Sequence, residues 1–329
     1  MPRNLVLTRS TMAARVHPGL MVLCAWIVLV ALTFADWSEM AHQWWDIDTY
    51  SHILLVPPII AWLVWLRRDE LVKVPLAGWW PGLLWMLFGL ATWLVGRQLG
   101  INTIAQGGAV LSLQGAVLAI LGLRAGLLLA FPLGYAFVLV PFGGEFIPPL
   151  QMITAEIATA LSQLSGIDTV ADGIHIDTPA GLFIVAEECS GVKFLIAMLA
   201  LGVLVAYSCF TSWTRRFWFL LACIVVPIVA NGIRAWATIY IAQFVGAEAA
   251  GSFDHIVYGW VFFGVVIALV LGVAWRWFER EPEEAGLSAE DLGTMALVHR
   301  FEGWRARPAL AFGAALAAAL VFAVLARLG

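Results

Sequence analysis

Apolar residues fall along this chain in long, nearly unbroken runs, and nine of these are long enough to cross a bilayer: residues 20–35, 52–66, 79–96, 104–123, 126–142, 190–209, 216–236, 256–275 and 309–327. A span needs about 20 apolar residues, and shorter runs are accommodated by tilt or local thinning. The pattern predicts an all-α polytopic membrane protein, a bundle of about nine transmembrane helices.

One stretch departs from it. Between the fifth and sixth runs, Pro148 and Pro149 open a segment, Leu150 to Leu164, with apolar residues at helical spacing and Gln151, Thr154, Glu156 and Gln163 between them. This predicts a small amphipathic helix, interfacial or re-entrant. After Gly166 the period shortens to β-branched alternation, from Val170 to Asp177 and again from Gly181 to Ala186, divided by the turn Thr178-Pro179-Ala180-Gly181. The expectation is a β-hairpin insertion whose second strand runs into Cys189 and the sixth span.

Composition agrees with the pattern: of 329 residues, 62% are hydrophobic and 12% charged, and the mean hydropathy is +0.91. Soluble globular domains do not reach such values. Many of the 17 Trp, among them Trp37, Trp44, Trp79 and Trp213, sit at run ends, where amphipathic rings favour the headgroup level.

Loop charge sets the expected orientation. Arg3/Arg9/Arg15, Arg67/Arg68/Lys73, Arg124, Arg215/Arg216, and Arg276/Arg280 with Arg300/Arg305/Arg307 fall on alternate connections, which the positive-inside rule makes cytoplasmic. The N-terminus is then cytoplasmic, and no small-residue cleavage site follows the first run, so an uncleaved span is expected. Residues 279–308 are charged, contain Pro282 and Gly286, and read as a cytoplasmic linker to a ninth helix at 309–329.

Three reactive residues are placed by this topology on one face. Cys189, in Glu188-Cys189-Ser190-Gly191, stands where strand-like sequence meets the sixth span, with Ser190 able to cap the new helix. Arg234, eighteen residues beyond Arg216, lies about 27 Å along its helix, at the outer edge. His255 opens the eighth span at that edge too. A thiolate gains from a nearby Arg, His⁺ or helix N-terminus, whereas Glu187 and Glu188 oppose it. A His supplies general base and acid, and an Arg steadies a developing oxyanion, so the set suits acyl transfer. Cys24, Cys209 and Cys223 lie in apolar runs and read as inert small residues.

At these residues the chain resembles the exosortase family, whose signature is a Cys-Ser-Gly, a later Arg and a later His. They match Cys189-Ser190-Gly191, Arg234 in Asn231-Gly232-Ile233-Arg234, and Asp254-His255. Tyr50-Ser51-His52, Leu55-Val56-Pro57 and Trp65-Leu66-Arg67-Arg68 are similar as well, and the resemblance covers about residues 45–280.

The resemblance implies a membrane cysteine protease or transpeptidase, with catalytic Cys189, Arg234 and His255. It would cut exported proteins at a C-terminal Pro-Glu-Pro, transmembrane-helix and basic-tail signal, through a Cys189 thioester, in a setting linked to exopolysaccharide. His52, Glu187, Glu188, Asn231 and Lys193 are candidate substrate-binding residues; His52 serves equally as an interfacial anchor, and Lys193 departs from the Arg or neutral polar residue expected there. The core would be residues 1–278, in the bacterial inner membrane with the site facing the periplasm. Membrane lipid and a separate extracytoplasmic accessory protein are further expected partners. No Gly-rich phosphate loop, CxxC pair or HExxH is present, so no cofactor, metal or nucleic acid is expected. The alternative is a lipid-linked saccharide transporter or transferase of a surface-polymer pathway, built on intramembrane Arg residues and needing no thiol.

Overall fold

A computed structural model describes residues 17–246 and 259–328. His255, the basic residues Arg3, Arg9 and Arg15 and the first residues of the eighth apolar run lie outside the described residues. In chain order the helices are α1 (Pro18–Leu32), α2 (Phe34–Asp46), α3 (Val56–Leu66), α4 (Arg68–Lys73), α5 (Trp80–Leu99), α6 (Asn102–Leu121), α7 (Leu123–Leu128), α8 (Ala130–Tyr135), α9 (Ile147–Leu164), α10 (Val192–Cys209), α11 (Trp213–Val245), α12 (Gly259–Ala274), α13 (Ala289–Thr294), α14 (Ala296–Phe301) and α15 (Pro308–Leu328). Five short strands accompany them: β1 (Gly78–Trp79), β2 (Val170–Asp172), β3 (His175–Thr178), β4 (Gly181–Ile184) and β5 (Arg305–Ala306).

The chain is an all-α polytopic membrane protein. Among the described residues six helices are long and apolar enough to cross a membrane, and three further candidates are pairs bent by more than 40°, such as Pro18–Leu32 with Phe34–Asp46 at 85°. Counted together they coincide one for one with the nine apolar runs. The run 126–142 is not one straight helix, however. It breaks into α7, α8 and a 3-10 turn at Ala136–Leu139, then bends by 63° into α9. Gly126, Pro132, Gly134 and Pro141 fall within the stretch, and glycine and proline are the residues least compatible with a helix interior.

The described residues form two compact units. One takes those of Met1–Trp37, Glu70–Ala130 and Ser288–Gly329. Here α5 and α6 pack backbone to backbone, because glycines recur every seven residues: Gly82, Gly89 and Gly96 on α5, Gly108 and Gly115 on α6. A Cβ at Gly89 would stand 2.5 Å from the Ser112 amide nitrogen, and one at Gly108 2.2 Å from that of Trp93. Small residues at such spacing are how helices approach closely where the solvent is itself apolar. Asp36 is buried in this unit, accepting from Trp93 Nε1 at 2.8 Å. The segment 279–307 is folded where it enters the unit: α13 begins with a capping box of Ser288 and Asp291, and β5 pairs antiparallel with β1, Gly78 opposite Ala306.

The other unit takes the described residues of Ser38–Asp69 and Phe131–Leu287. Its helices α10, α11 and α12 share an apolar core of Phe194, Met198, Phe219, Cys223, Phe263 and Val266. At the far end of α10 the last carbonyls are satisfied by guanidiniums: Arg216 donates twice to Phe210 O, at 2.7 and 3.0 Å, and Arg280 donates to Ser208 O and Tyr207 O. Such donors complement both the orphan carbonyls and the negative end of the helix dipole.

In the same unit α9 packs along α11, and its buried face is Leu150, Gln151, Thr154, Ala155, Ala158 and Ser162, while Met152 and Ile153 are exposed. Gly232 admits this approach, since a Cβ there would stand 2.4 Å from Ile157 Cγ2. The inserted sheet is a three-stranded antiparallel meander, β2-β3-β4, not a single hairpin. Gly173, at φ 62°, turns the chain within what reads as one strand, so Val170 lies opposite Asp177. Helix α11 also runs past residue 236 to Val245, because nothing breaks it before Gly246. Arg234 is therefore well inside the helix.

Candidate functional site

Strand β4 leads through Val185 into a 3-10 turn, Glu187–Cys189, before α10 begins at Val192. The cause of this delayed start is Gly191, at φ 80°, which serves as N-cap. Ser190 is buried, and its Oγ accepts the Val192 N–H at 3.3 Å. The expected cap is thus shared: Gly191 makes the bend and Ser190 supplies the oxygen. Cys189 ends up on the turn preceding the helix, half-buried, against Ala155, Ala158, Ile176, Val185 and Ile239.

Asn231 and Arg234, three residues apart on α11, share the helix face that meets this turn. Asn231 is 2% exposed; its Nδ2 donates to the Cys189 carbonyl at 2.8 Å and to Thr154 Oγ1 at 3.0 Å. Arg234 is 7% exposed, with its guanidinium 5.6 Å from the centre of the Phe194 ring, a cation–π distance. Cys189, Asn231 and Arg234 line one cavity of about 80 Å³, closed on other sides by Ile176, Phe183 and Thr238 among others.

The remaining candidates stand elsewhere. Glu187 and Glu188 are exposed on the 3-10 turn and are not among the cavity's lining residues. Lys193 pairs with Asp48 Oδ2 at 3.6 Å, and its ammonium lies 5.3 Å from the Phe194 ring centre. His52 sits on a 3-10 segment, Asp48–Leu55, its Nδ1 donating to Thr49 O at 3.1 Å and its Nε2 buried with no hydrogen-bond partner among the described residues. His175 and Asp177 are exposed on β3.

Two residues of the site were missed in the sequence. Thr154 holds Asn231, and Gln151 donates to Val185 O at 2.7 Å, fixing the strand that delivers Cys189. Their spacing of three was the available signal, since it puts both on one helix face.

A larger groove, of about 590 Å³, lies between α11 and α12 and is lined by Phe210, Trp218, Phe219, Leu269 and Trp277 among others. Its one ionisable lining residue is Arg215, which pairs with Glu279 at 3.3 Å. Without a nucleophile or a convergent polar set it offers no chemistry, and size alone does not make it the site.

The chain belongs to the transmembrane exosortase family: residues 44–272 match the family model described as Transmembrane exosortase (Exosortase_EpsH). The match takes in Cys189, Asn231, Arg234 and His255 and supports a membrane transpeptidase- or protease-type role in general. No curated protein and no solved structure matches the chain.

Proposed function

We propose that this protein is an integral-membrane cysteine transpeptidase or protease that cuts exported proteins at a C-terminal Pro-Glu-Pro-type sorting signal, and that Cys189 is its nucleophile. The observation that carries the reading is the single small cavity shared by Cys189 and Arg234, at the start of a membrane helix, inside the family match.

In the proposed reaction the Cys189 thiolate attacks the scissile carbonyl carbon, His255 having taken the thiol proton. Arg234 steadies the oxyanion of the tetrahedral intermediate; a buried guanidinium is worth more there than in water. The C–N bond then breaks, His255 returns the proton to the leaving amine, and a thioester remains on Cys189. Water attacking it completes proteolysis; an amine completes transpeptidation, and either step regenerates the thiolate.

Loop charge supports a site facing the periplasm in the bacterial inner membrane, with the N-terminus in the cytoplasm. The substrate would be an exported protein whose own transmembrane helix docks in lipid and whose basic tail stays cytoplasmic, in a pathway of surface export and exopolysaccharide. A separate extracytoplasmic accessory protein fits the same setting.

The test is co-expression of Cys189→Ala with a tagged protein bearing the signal. Unprocessed, full-length substrate is the expected result, and normal processing would overturn the proposal. Full activity of Cys189→Ser, with lipid binding lost in Arg234→Ala, would instead favour a lipid-linked saccharide transferase.

A further inference from the structure

The turn that carries Cys189 has a defect in its hydrogen bonding, and another helix repairs it. The Cys189 N–H donates to Ala186 O at 3.0 Å and the Ser190 N–H to Glu187 O at 3.1 Å, as a 3-10 turn requires. Gly191 then swings to positive φ, and the first bonds of α10, from Phe194 N–H and Leu195 N–H, go to Gly191 O, each 3.1 Å. In a continuous helix the carbonyl of residue 189 would receive such a bond from residue 193; here the break removes that donor. Asn231 Nδ2 takes its place, from α11, at 2.8 Å.

The orientation of this carboxamide is fixed by chemistry, because a carbonyl oxygen only accepts and the atom facing it must be nitrogen. The second Nδ2 proton goes to Thr154 Oγ1 on α9, so Asn231 ties the Cys189 turn to two helices at once. Gly191 belongs to the same device: a Cβ there would stand 2.7 Å from Asn231 Cγ. The cost is visible too. Asn231 Oδ1 is buried with no hydrogen-bond partner among the described residues, and an unsatisfied buried acceptor is destabilising. An apolar side chain would avoid that penalty, so packing alone does not account for an amide here.

We infer that Asn231 is a positioning residue for Cys189: by holding the cysteine's own carbonyl it fixes the peptide plane and hence the direction of the Cα–Cβ bond that aims the thiol into the cavity. This inference rests on the reading of Cys189 as nucleophile. It differs from a substrate-binding role for Asn231, since the amide acts through the main chain of the nucleophile.

The informative substitution is Asn231→Asp. An ionised carboxylate cannot donate and repels the Cys189 carbonyl, whereas a protonated carboxyl regains a donor. The carboxylate has nearly the size of the amide, so the ionised variant removes the donor while keeping the side-chain volume. The full-length protein in its membrane, with Cys24, Cys209 and Cys223 replaced by Ala, is assayed for processing of a signal-bearing substrate and for alkylation of Cys189 by iodoacetamide, both from pH 5.5 to 8.5.

Asn231→Ala is expected to lose about 10- to 100-fold in kcat with KM within about twofold, as a displacement of about 1 Å at a nucleophile does. Asn231→Asp is expected to lose at least about 10-fold in kcat at pH 8.5, where the carboxylate cannot donate to the Cys189 carbonyl. Thr154→Val, which leaves Asn231 in place, is expected to lose less than Asn231→Ala and serves if the latter does not accumulate. Wild-type kcat in Asn231→Asp at pH 8.5, or unchanged kcat in Asn231→Ala, overturns the inference. Should Cys189→Ala still process substrate, the nucleophile reading fails, and the alkylation rate decides separately: a rate within twofold of wild type in Asn231→Ala overturns the positioning role as well.

Discussion

Replacing Gly191 by Ala puts two separable loads on the site. The first is backbone strain, because the residue sits at φ 80°, where an L side chain costs about 1–2 kcal/mol. The second is a collision: the new Cβ would lie 2.7 Å from Asn231 Cγ and 3.0 Å from its Cβ, so one of them must move by roughly 0.7 Å to reach ordinary contact. Overpacking of that kind costs about 1–3 kcal/mol, giving about 2–5 kcal/mol in all. Gly166 separates the two loads, being at φ 82° with nothing within 4 Å of its would-be Cβ. Gly166→Ala should therefore show the strain alone. Thermal unfolding in detergent is expected to rank wild type above Gly166→Ala above Gly191→Ala. Processing should be near normal in the first variant and at least about tenfold slower in the second, since the displaced amide is the one holding Cys189. Equal Tm values for the two variants, or kcat in Gly191→Ala within twofold of wild type, would refute this account of the Cys-Ser-Gly stretch.

Two other expectations concern the scaffold. Gly89→Leu forces a side chain into a backbone contact where even a Cβ would stand 2.5 Å from Ser112 N, so α5 and α6 must separate by about 1 Å; Tm and membrane abundance should fall sharply, while Gly107→Leu, facing open space, should leave both nearly unchanged. Glu279 accepts the backbone N–H groups of Ser212 and Thr211 and faces Arg215, which hold its carboxyl down to about 2 from 4.5. Because the folded pKa is the lower one, its contribution is fully present above about pH 4.5 and is lost as pH falls toward 2. Glu279→Gln should accordingly lower Tm at neutral pH and flatten its decline between those values; an unaltered pH profile would contradict the assignment.

Much of this architecture is readable from hydropathy, and the exceptions have physical causes. Each apolar run meets a candidate span among the described residues, 126–142 only in broken pieces, because length and apolarity decide whether a segment suits a bilayer. Bends at Thr33 and after Val140 were not legible, since a run's hydropathy carries no direction. The apolar run ends at residue 236, yet α11 continues eleven residues beyond Arg234 to Val245; hydropathy marks where a chain leaves apolar surroundings, not where its hydrogen bonding stops. Hydropathy gave α9 an amphipathic pattern but not its packing: Gln151 and Thr154 are buried and Glu156 and Gln163 exposed, because the polar groups with partners on neighbouring elements turn inward. The close pairing of α5 and α6 was not read from the sequence, although the glycines at 82, 89 and 96 and at 108 and 115 that permit it recur every seven residues. Only the structure connects Asn231 to the Cys189 carbonyl, because that contact depends on where Gly191 breaks the helix.

The most direct test of Cys189 as an acyl-carrying nucleophile is intact-protein mass spectrometry of the enzyme rapidly quenched during turnover of a signal-bearing substrate. The reading advanced here predicts an adduct equal to the mass of the substrate's N-terminal fragment less water, mapped to Cys189, released by hydroxylamine and absent from Cys189→Ala. Turnover with no adduct on Cys189 in the quenched wild type and equal processing by Cys189→Ala would contradict it.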